Sequence, residues 1–303
     1  MSTAVPGIEF ASAESHFCDV RGAQIHYRTF GHGVATTPGL LFVHGMWAHS
    51  HWWDHIVPYF CDDFKVAAMD LAGMGDSNRR PRYTVRGFAE DIVAIVQAAG
   101  IAPCTVVAHS FGGTPSIVAS HLSPESIARV IVVDSRLNLP NLDSVRKGLL
   151  NQIPAPRPYA SRQQAIDRYR LIPAGDVVDP ALLKHIAETA LRQVDGEWIW
   201  KFDPALDPQL TNDPEQIIPA GITTPIDFVY GECSDVVDRS LPAQVAAYFP
   251  NCGRPVCIPQ MHHHFVLEHP TIFVAVLRSL LSRTPAGLLS SRLQTTPSSN
   301  VQN

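Results

Sequence analysis

The chain has 303 residues, 46% of them hydrophobic and 17% charged, with a formal net charge of -5. That length accommodates a large α/β domain with a buried core, and the negative balance excludes the usual charge signature of nucleic-acid or anionic-membrane binders. No apolar run approaches the roughly 20 residues that span a bilayer, and residues 1–15 hold neither a basic segment nor a continuous apolar one, so neither a membrane anchor nor a secretory signal is expected. Six cysteines (Cys18, Cys61, Cys104, Cys233, Cys252, Cys257) are scattered without metal or redox spacing. They are expected as free thiols in a reducing, cytoplasmic compartment.

In chain order, residues 17–20 and 24–30 read as two strands of a hairpin around Arg21-Gly22. Gly39-Leu40-Leu41-Phe42-Val43 is a short, wholly apolar run, the mark of a strand buried on both faces. It runs into His44-Gly45-Met46-Trp47. Residues 50–60 then predict a helix with Trp53, Ile56, Val57 and Phe60 on one face. A strand over 64–71 leads into the glycine turn Gly73-Met74-Gly75-Asp76-Ser77. Thr84 opens an amphipathic helix through Phe88, Ile92, Ile95 and Val96 that Gly100 stops. A strand ends at Val106-Val107-Ala108-His109-Ser110-Phe111-Gly112-Gly113, a helix follows, and 127–134 is another apolar strand. This alternation predicts a mostly parallel sheet with helices on both faces, whose ligands bind beyond the carboxyl ends of the strands.

The alternation breaks between residues 136 and 220, where proline is frequent and short helices are expected over 161–171 and 180–194. It resumes with a strand over 226–231, a helix over 241–249, a strand over 255–259 and a helix over 270–281. The interruption reads as a helical cap, residues 136–220, inserted into a core of residues 16–135 and 221–282. Residues 283–303, rich in Ser, Thr, Pro and Gln, read as a disordered tail.

The serine of Ala108-His109-Ser110-Phe111-Gly112 sits between a strand and a helix, with small residues two before and two after it. This is the nucleophile-elbow pattern, in which a strained backbone projects the hydroxyl clear of the sheet. Alanine replaces the usual first glycine. A serine hydroxyl needs a base within hydrogen-bond reach and a carboxylate that orients the base. Two later strand ends offer candidates: Asp235 in Gly231-Glu232-Cys233-Ser234-Asp235, and the histidines of Met261-His262-His263-His264-Phe265.

With these pieces in family order, together with Asp70-Leu71-Ala72-Gly73-Met74-Gly75-Asp76-Ser77 and Leu267-Glu268-His269-Pro270, the sequence resembles the α/β-hydrolase superfamily. Within it, the likeness is to cap-bearing serine esterases and C–C bond hydrolases, and it covers residues 16 to 282. The resemblance implies Ser110 as nucleophile, and His263 as base from its spacing to Pro270, with His262 and His264 as neighbours. It implies Asp235 as the acid, with Asp134 as the rival, because some relatives carry the acid at that earlier strand end. The backbone N–H groups of Met46 and Phe111 form the oxyanion hole by the same likeness. Serine in place of aspartate at the elbow argues against epoxide or haloalkane chemistry. No cofactor and no metal are implied, and the partner is a small-molecule substrate.

Candidate pocket residues are Trp47, His109, Arg136, Trp198, Trp200 and His264. Arg136, just past a strand end, is the candidate for recognising a substrate carboxylate. The expected activity is carboxylic-ester hydrolysis of small or medium apolar substrates. The alternatives are a C–C hydrolase or lactonase with the same residues, and a slow-turnover small-molecule receptor of the same fold.

Overall fold

The computed structural model describes residues 10, 12–31, 37–140, 157–206 and 217–283. An eight-stranded sheet runs in the order β1-β2-β4-β3-β5-β6-β9-β10. Strands β1 (Ala13–Val20) and β2 (Ala23–Phe30) pair antiparallel around Arg21 and Gly22, whose φ angles of 53° and 78° make the tight reversal. Beyond the antiparallel β2–β4 contact, β3 (Gly39–Val43), β4 (Lys65–Met69), β5 (Cys104–His109), β6 (Ile127–Val133), β9 (Ile226–Gly231) and β10 (Val256–Ile258) pair parallel.

Side chains alternate across a strand, so each parallel strand feeds two cores. Leu41, Val43, Val106, Ala108, Val130 and Val132 face one of them. There they meet Phe88, Ile92, Ile95 and Val96 of helix α1 (Val85–Ala98) and Ile117 of α2 (Gly113–Leu122). Leu40, Phe42, Val107, Ile131 and Val133 face the other, with Trp53, Phe60 and the Phe273, Val274 and Leu277 face of α7 (Pro270–Leu281). Every residue of β3 is buried, which is why its sequence reads as an unbroken apolar run. Burial of one such Leu, Val or Phe side chain contributes about 1.5–3 kcal/mol. The Thr84 hydroxyl accepts the Gly87 N–H at 2.9 Å and caps α1.

Three expected elements differ. Residues 50–60 form two short 3₁₀ turns, Ser50–Trp53 and Val57–Tyr59, in place of one helix. Pro58 has no N–H to give to an α-helical ladder. Between β6 and β9, α3 (Arg162–Ile166) is one turn long, and α4 (Pro180–Thr189) ends before residue 194. The chain turns back there as the hairpin β7 (Leu191–Val194) and β8 (Glu197–Trp200). Asp195 and Gly196, at φ 50° and 86°, make its turn. An Asp-Gly pair between β-favouring residues is a strong hairpin signal, and here it overrides the helical spacing of the preceding apolar residues. The inserted stretch is therefore mixed, not purely helical. Helix α5 (Leu241–Tyr248) and the short α6 (Phe265–Glu268) complete the elements. Residues 284–303, expected as a tail, lie outside the described residues. No helix among the described residues is long and apolar enough to cross a membrane.

Candidate active site

The carboxyl ends of three neighbouring strands carry non-glycine residues with left-handed backbone. Trp47, in the loop after β3, has φ 59°; Ser110, after β5, has φ 52°; Asp134, after β6, has φ 46°. Such conformations cost roughly 1–3 kcal/mol each and persist only where the surroundings over-determine them. At Ser110 the surroundings are close. A Cβ on Gly112 would stand 2.7 Å from the His44 carbonyl oxygen, and one on Gly45 would stand 2.9 Å from the Ser110 Cβ. The glycines let the turn pass between β3 and α2, and the serine is left partly exposed at its tip.

The His263 ring lies between Ser110 and Asp134. Its Nε2 is 3.0 Å from Ser110 Oγ and its Nδ1 is 2.7 Å from Asp134 Oδ1. A carboxylate only accepts, so Nδ1 carries the proton and Nε2 keeps a lone pair toward the serine hydroxyl. Asp134 is fully buried, and it also accepts the Gly231 N–H at 2.7 Å and the Ser234 hydroxyl at 2.5 Å.

Asp235, the expected acid, does not reach His263. It is exposed, while its neighbour Ser234 turns inward. The Ser234 hydroxyl accepts the Val236 and Val237 N–H groups and donates to Asp134. The sheet order explains the exchange. Strand β6 lies directly beside β5, whereas β9 is one strand further away, so the end of β6 is nearer the elbow. His262 and His264 do not take the place of His263 either. His264 is buried against Trp52, with ring centroids 5.5 Å apart.

His109 stands behind His263, with ring centroids 4.8 Å apart. Its Nε2 donates to the His263 carbonyl at 3.0 Å, which fixes the backbone of the loop that bears His263. Burial, reinforced by the neighbouring His263, pushes the His109 pKa down to about 3. Burial likewise holds His264 well below the ordinary histidine value. Both rings therefore stay neutral near pH 7. His44 is locked between its own Gly45 carbonyl at 2.6 Å and the Leu71 N–H at 3.0 Å, so it shapes the loop that carries Met46. Phe111 is the middle residue of the short 3₁₀ turn Ser110–Gly112 leading into α2, where the first backbone N–H groups have no acceptor within the helix.

A cavity of about 600 Å³ approaches this line through His264, whose ring centroid is 4.6 Å from that of His263; Ser110, His263 and Asp134 do not themselves line it. One wall is Met46, Trp47, Trp52 and His264; the other comes from the inserted stretch, including Tyr169, Trp200 and Phe202. Of the expected pocket residues, Trp47, Trp200 and His264 line it, and Arg136, Trp198 and His109 do not. Arg136 is half-buried beside Asp238, whose charge faces it. The Trp198 backbone pairs with Tyr159, and its ring lies under the Arg162 guanidinium, 5.9 Å from the ring centroid. Trp198 and Trp200 are two apart on β8 and so share a face by alternation, yet only Trp200 lines the cavity.

Ligand atoms of His109, His263 and His264 fall within 4.8 Å of one another, as do those of His51, Asp54 and His185. In the second group Arg28 already pairs with Asp54 and supplies the positive charge. Burial opposes ionisation of Asp54, yet hydrogen bonds from His185 and His51 and the Arg28 charge hold its carboxyl well below the usual carboxylate range.

A mostly parallel sheet, a strained serine at a strand-to-helix turn, and a Ser–His–Asp line whose histidine and aspartate are buried together define the α/β-hydrolase fold. The pattern of the alpha/beta hydrolase family matches residues 40–276, and the chain belongs to that family. Over 296 residues, covering 92% of each protein, it is 23% identical to the sn-1-specific diacylglycerol lipase ABHD11 of Mus musculus. It is 29% identical over 103 residues to the karrikin insensitive 2 receptor CA of Petunia hybrida, which is 32% of this chain and 37% of the receptor. The thioesterase domain from the curacin biosynthetic pathway superposes with a TM-score of 0.71 at 19% identity, over 88% of this chain and 99% of that domain; at that identity the likeness is one of fold.

Proposed function

We propose that the protein is a serine hydrolase that cleaves carboxylic esters through an acyl-enzyme, with Ser110 as nucleophile, His263 as base and Asp134 as its orienting acid. The observation that carries this reading is the continuous Ser110–His263–Asp134 line, at 3.0 and 2.7 Å, beside the cavity. Ser110 Oγ attacks the carbonyl carbon as its proton passes to His263 Nε2. The negative charge that develops on the former carbonyl oxygen is met by the N–H groups of Met46 and Phe111. His263 Nε2–H then protonates the departing alkoxide, which leaves as the alcohol. Water gives a proton to the same nitrogen and attacks the acyl-serine, and the carboxylic acid departs as the proton returns to Ser110. Asp134 holds Nδ1–H throughout and stabilises the imidazolium. The inserted stretch, residues 136–220, acts as a cap whose aromatic side chains select the acyl or alcohol part. The lipase name of the Mus musculus relative supports an ester substrate.

Hydrolysis of p-nitrophenyl acetate and hexanoate by the wild type and by Ser110→Ala tests the reading. Steady turnover that falls on the order of 10⁴-fold or more in the variant is expected. Turnover that survives Ser110→Ala overturns it. A stoichiometric burst of nitrophenol without steady turnover keeps Ser110 as nucleophile but replaces ester hydrolysis with the slow-turnover receptor reading, which the Petunia hybrida relative favours.

A further inference from the structure

The cavity wall has a charge composition at odds with the rest of the chain. The protein is acidic overall, at a net charge of -5. Yet Arg157, Arg168, Arg170 and Lys201 all line the cavity, and no aspartate or glutamate does. Lys201 is neutralised by Asp76 at 2.8 Å. Arg170 donates to the backbone carbonyls of Asp167 and Tyr169, which steers its guanidinium but cancels no charge. Among the described residues, no carboxylate lies within salt-bridge distance of Arg157, Arg168 or Arg170, whereas Arg162, from the same stretch but outside the cavity, pairs with Glu188 at 3.3 Å. Three guanidinium groups with no carboxylate partner among the described residues thus line one cavity from both ends of α3.

Their exposure places them at the mouth. Arg157, Arg168 and Arg170 are exposed, while Trp52 and His264 are buried. The cavity is therefore aromatic at its buried Trp52–His264 end, where the His264 ring packs 4.6 Å from the ring of His263, and positive toward solvent. A wall of one sign above a low-dielectric interior concentrates opposite charge at its entrance, and guanidinium forks match carboxylate and phosphate oxygens in pairs.

Building on the serine-hydrolase reading above, we propose that the natural substrate is an ester or thioester with an apolar segment next to the scissile carbonyl and an anionic group, carboxylate or phosphate, at its remote end. The apolar segment occupies the aromatic part of the cavity, and the anion sits among Arg157, Arg168 and Arg170. This assigns anion recognition to the inserted stretch and not to Arg136.

Three p-nitrophenyl esters of one chain length test the proposal, ending in a neutral carboxamide, a carboxylate or a phosphate. The wild type at low ionic strength is expected to favour at least one anionic ester over the carboxamide by about tenfold in kcat/KM, the size expected of two or three partly exposed guanidinium contacts. The better anion identifies the source. The preference shrinks in 0.5 M NaCl, since exposed charges are screened over about 3–10 Å at high to moderate salt. It collapses toward unity in the double variant Arg157→Gln/Arg168→Gln and is retained in Arg86→Gln, a control on α1 away from the cavity. A wild type that hydrolyses the carboxamide ester as well as or better than both anionic esters overturns the proposal and leaves the serine-hydrolase reading standing. So does an anion preference that survives the double variant. Failure of all three esters to react at Ser110 overturns both.

Discussion

Among the described residues there are two Ser–His–Asp hydrogen-bond lines, and their surroundings differ. In the first, Ser110 Oγ meets His263 Nε2 at 3.0 Å and His263 Nδ1 meets Asp134 at 2.7 Å. In the second, Ser15 Oγ meets His26 Nε2 at 2.7 Å and His26 Nδ1 meets Asp70 at 2.7 Å. By distance alone the second is the tighter. The difference lies in what surrounds the serine. Ser15 lies within an edge strand, exposed, in register opposite Arg28 on β2, with no glycine turn behind it and no helix start beside it. Ser110 has a left-handed backbone, two glycines that give it clearance, the N-terminal turn of α2 and, through the neighbouring Met46 and His264, a nearby cavity of about 600 Å³. A hydrogen-bonded triad is thus a polarised line, and it becomes catalytic machinery only where donors for an oxyanion and space for an acyl group are built around it.

The carboxylates differ as well. Asp70 is a structural hub: besides His26 it accepts the Ser50 N–H at 2.5 Å and the Asp76 N–H at 2.9 Å. Burial opposes its charge, but these bonds and the neighbouring histidines hold its carboxyl well below the usual carboxylate range.

The widest separation between the two lines is expected from their acids. Asp134→Asn should lower kcat for ester hydrolysis on the order of 10⁴-fold, because the amide presents a donor to Nδ1 and favours the wrong tautomer. Asp235→Asn and Ser15→Ala, both at exposed positions, should change it by no more than about twofold. Steady-state kinetics on the folded variants decides, and equal losses at residues 134 and 235 would erase the distinction. Asp70→Asn should act instead on stability, by about 3 kcal/mol in urea unfolding near pH 7, since the amide group opposes buried N–H donors and leaves them unpaired. Because the folded Asp70 carboxyl is depressed, its contribution is present above the unfolded value near pH 4 and lost as pH falls below it.

The smallest effect concerns His109, the neutral histidine behind His263. His109 titrates near 3 when folded and near 6.5 when unfolded. Its contribution to stability is therefore complete above pH 6.5 and declines as pH falls toward 3. His109→Gln keeps the donor to the His263 carbonyl without the titration, so it should reduce the loss of stability between pH 7 and pH 5 by about 1–2 kcal/mol. Parallel stability–pH curves for the two proteins would contradict this.

What could be read from the sequence follows the range of the interactions concerned. Ser110 was legible because an elbow is local: a strand, a tight turn and a helix occupy consecutive residues. The strands of the core were legible because complete burial writes itself as an apolar run. The acid was not. Asp134 and Asp235 both follow a strand, and the choice depends on which strand neighbours β5 and on Ser234 turning inward, neither of which is encoded near either residue. The arginines divide in the same way. Arg136 is adjacent in sequence to a strand end, but Arg157, Arg168 and Arg170 reach the cavity through the path of the inserted stretch. The β7–β8 hairpin did have a local signal, Asp195-Gly196, masked by apolar residues at helical spacing just before it.

The inserted stretch is fastened to the core along both flanks. On one side Asp203 N–H donates to Gly73 at 2.7 Å, Tyr83 donates to Asp203 at 2.6 Å and Lys201 grips Asp76. On the other, His185 meets Asp54 at 2.9 Å and His49 meets the Ile186 carbonyl at 3.2 Å. A cavity held open at both edges is preorganised, so a substrate that fits it loses little free energy to ordering the protein around itself. Under the proposed reading, discrimination between substrates rests on shape and charge already in place before the encounter, by fit more than by closure.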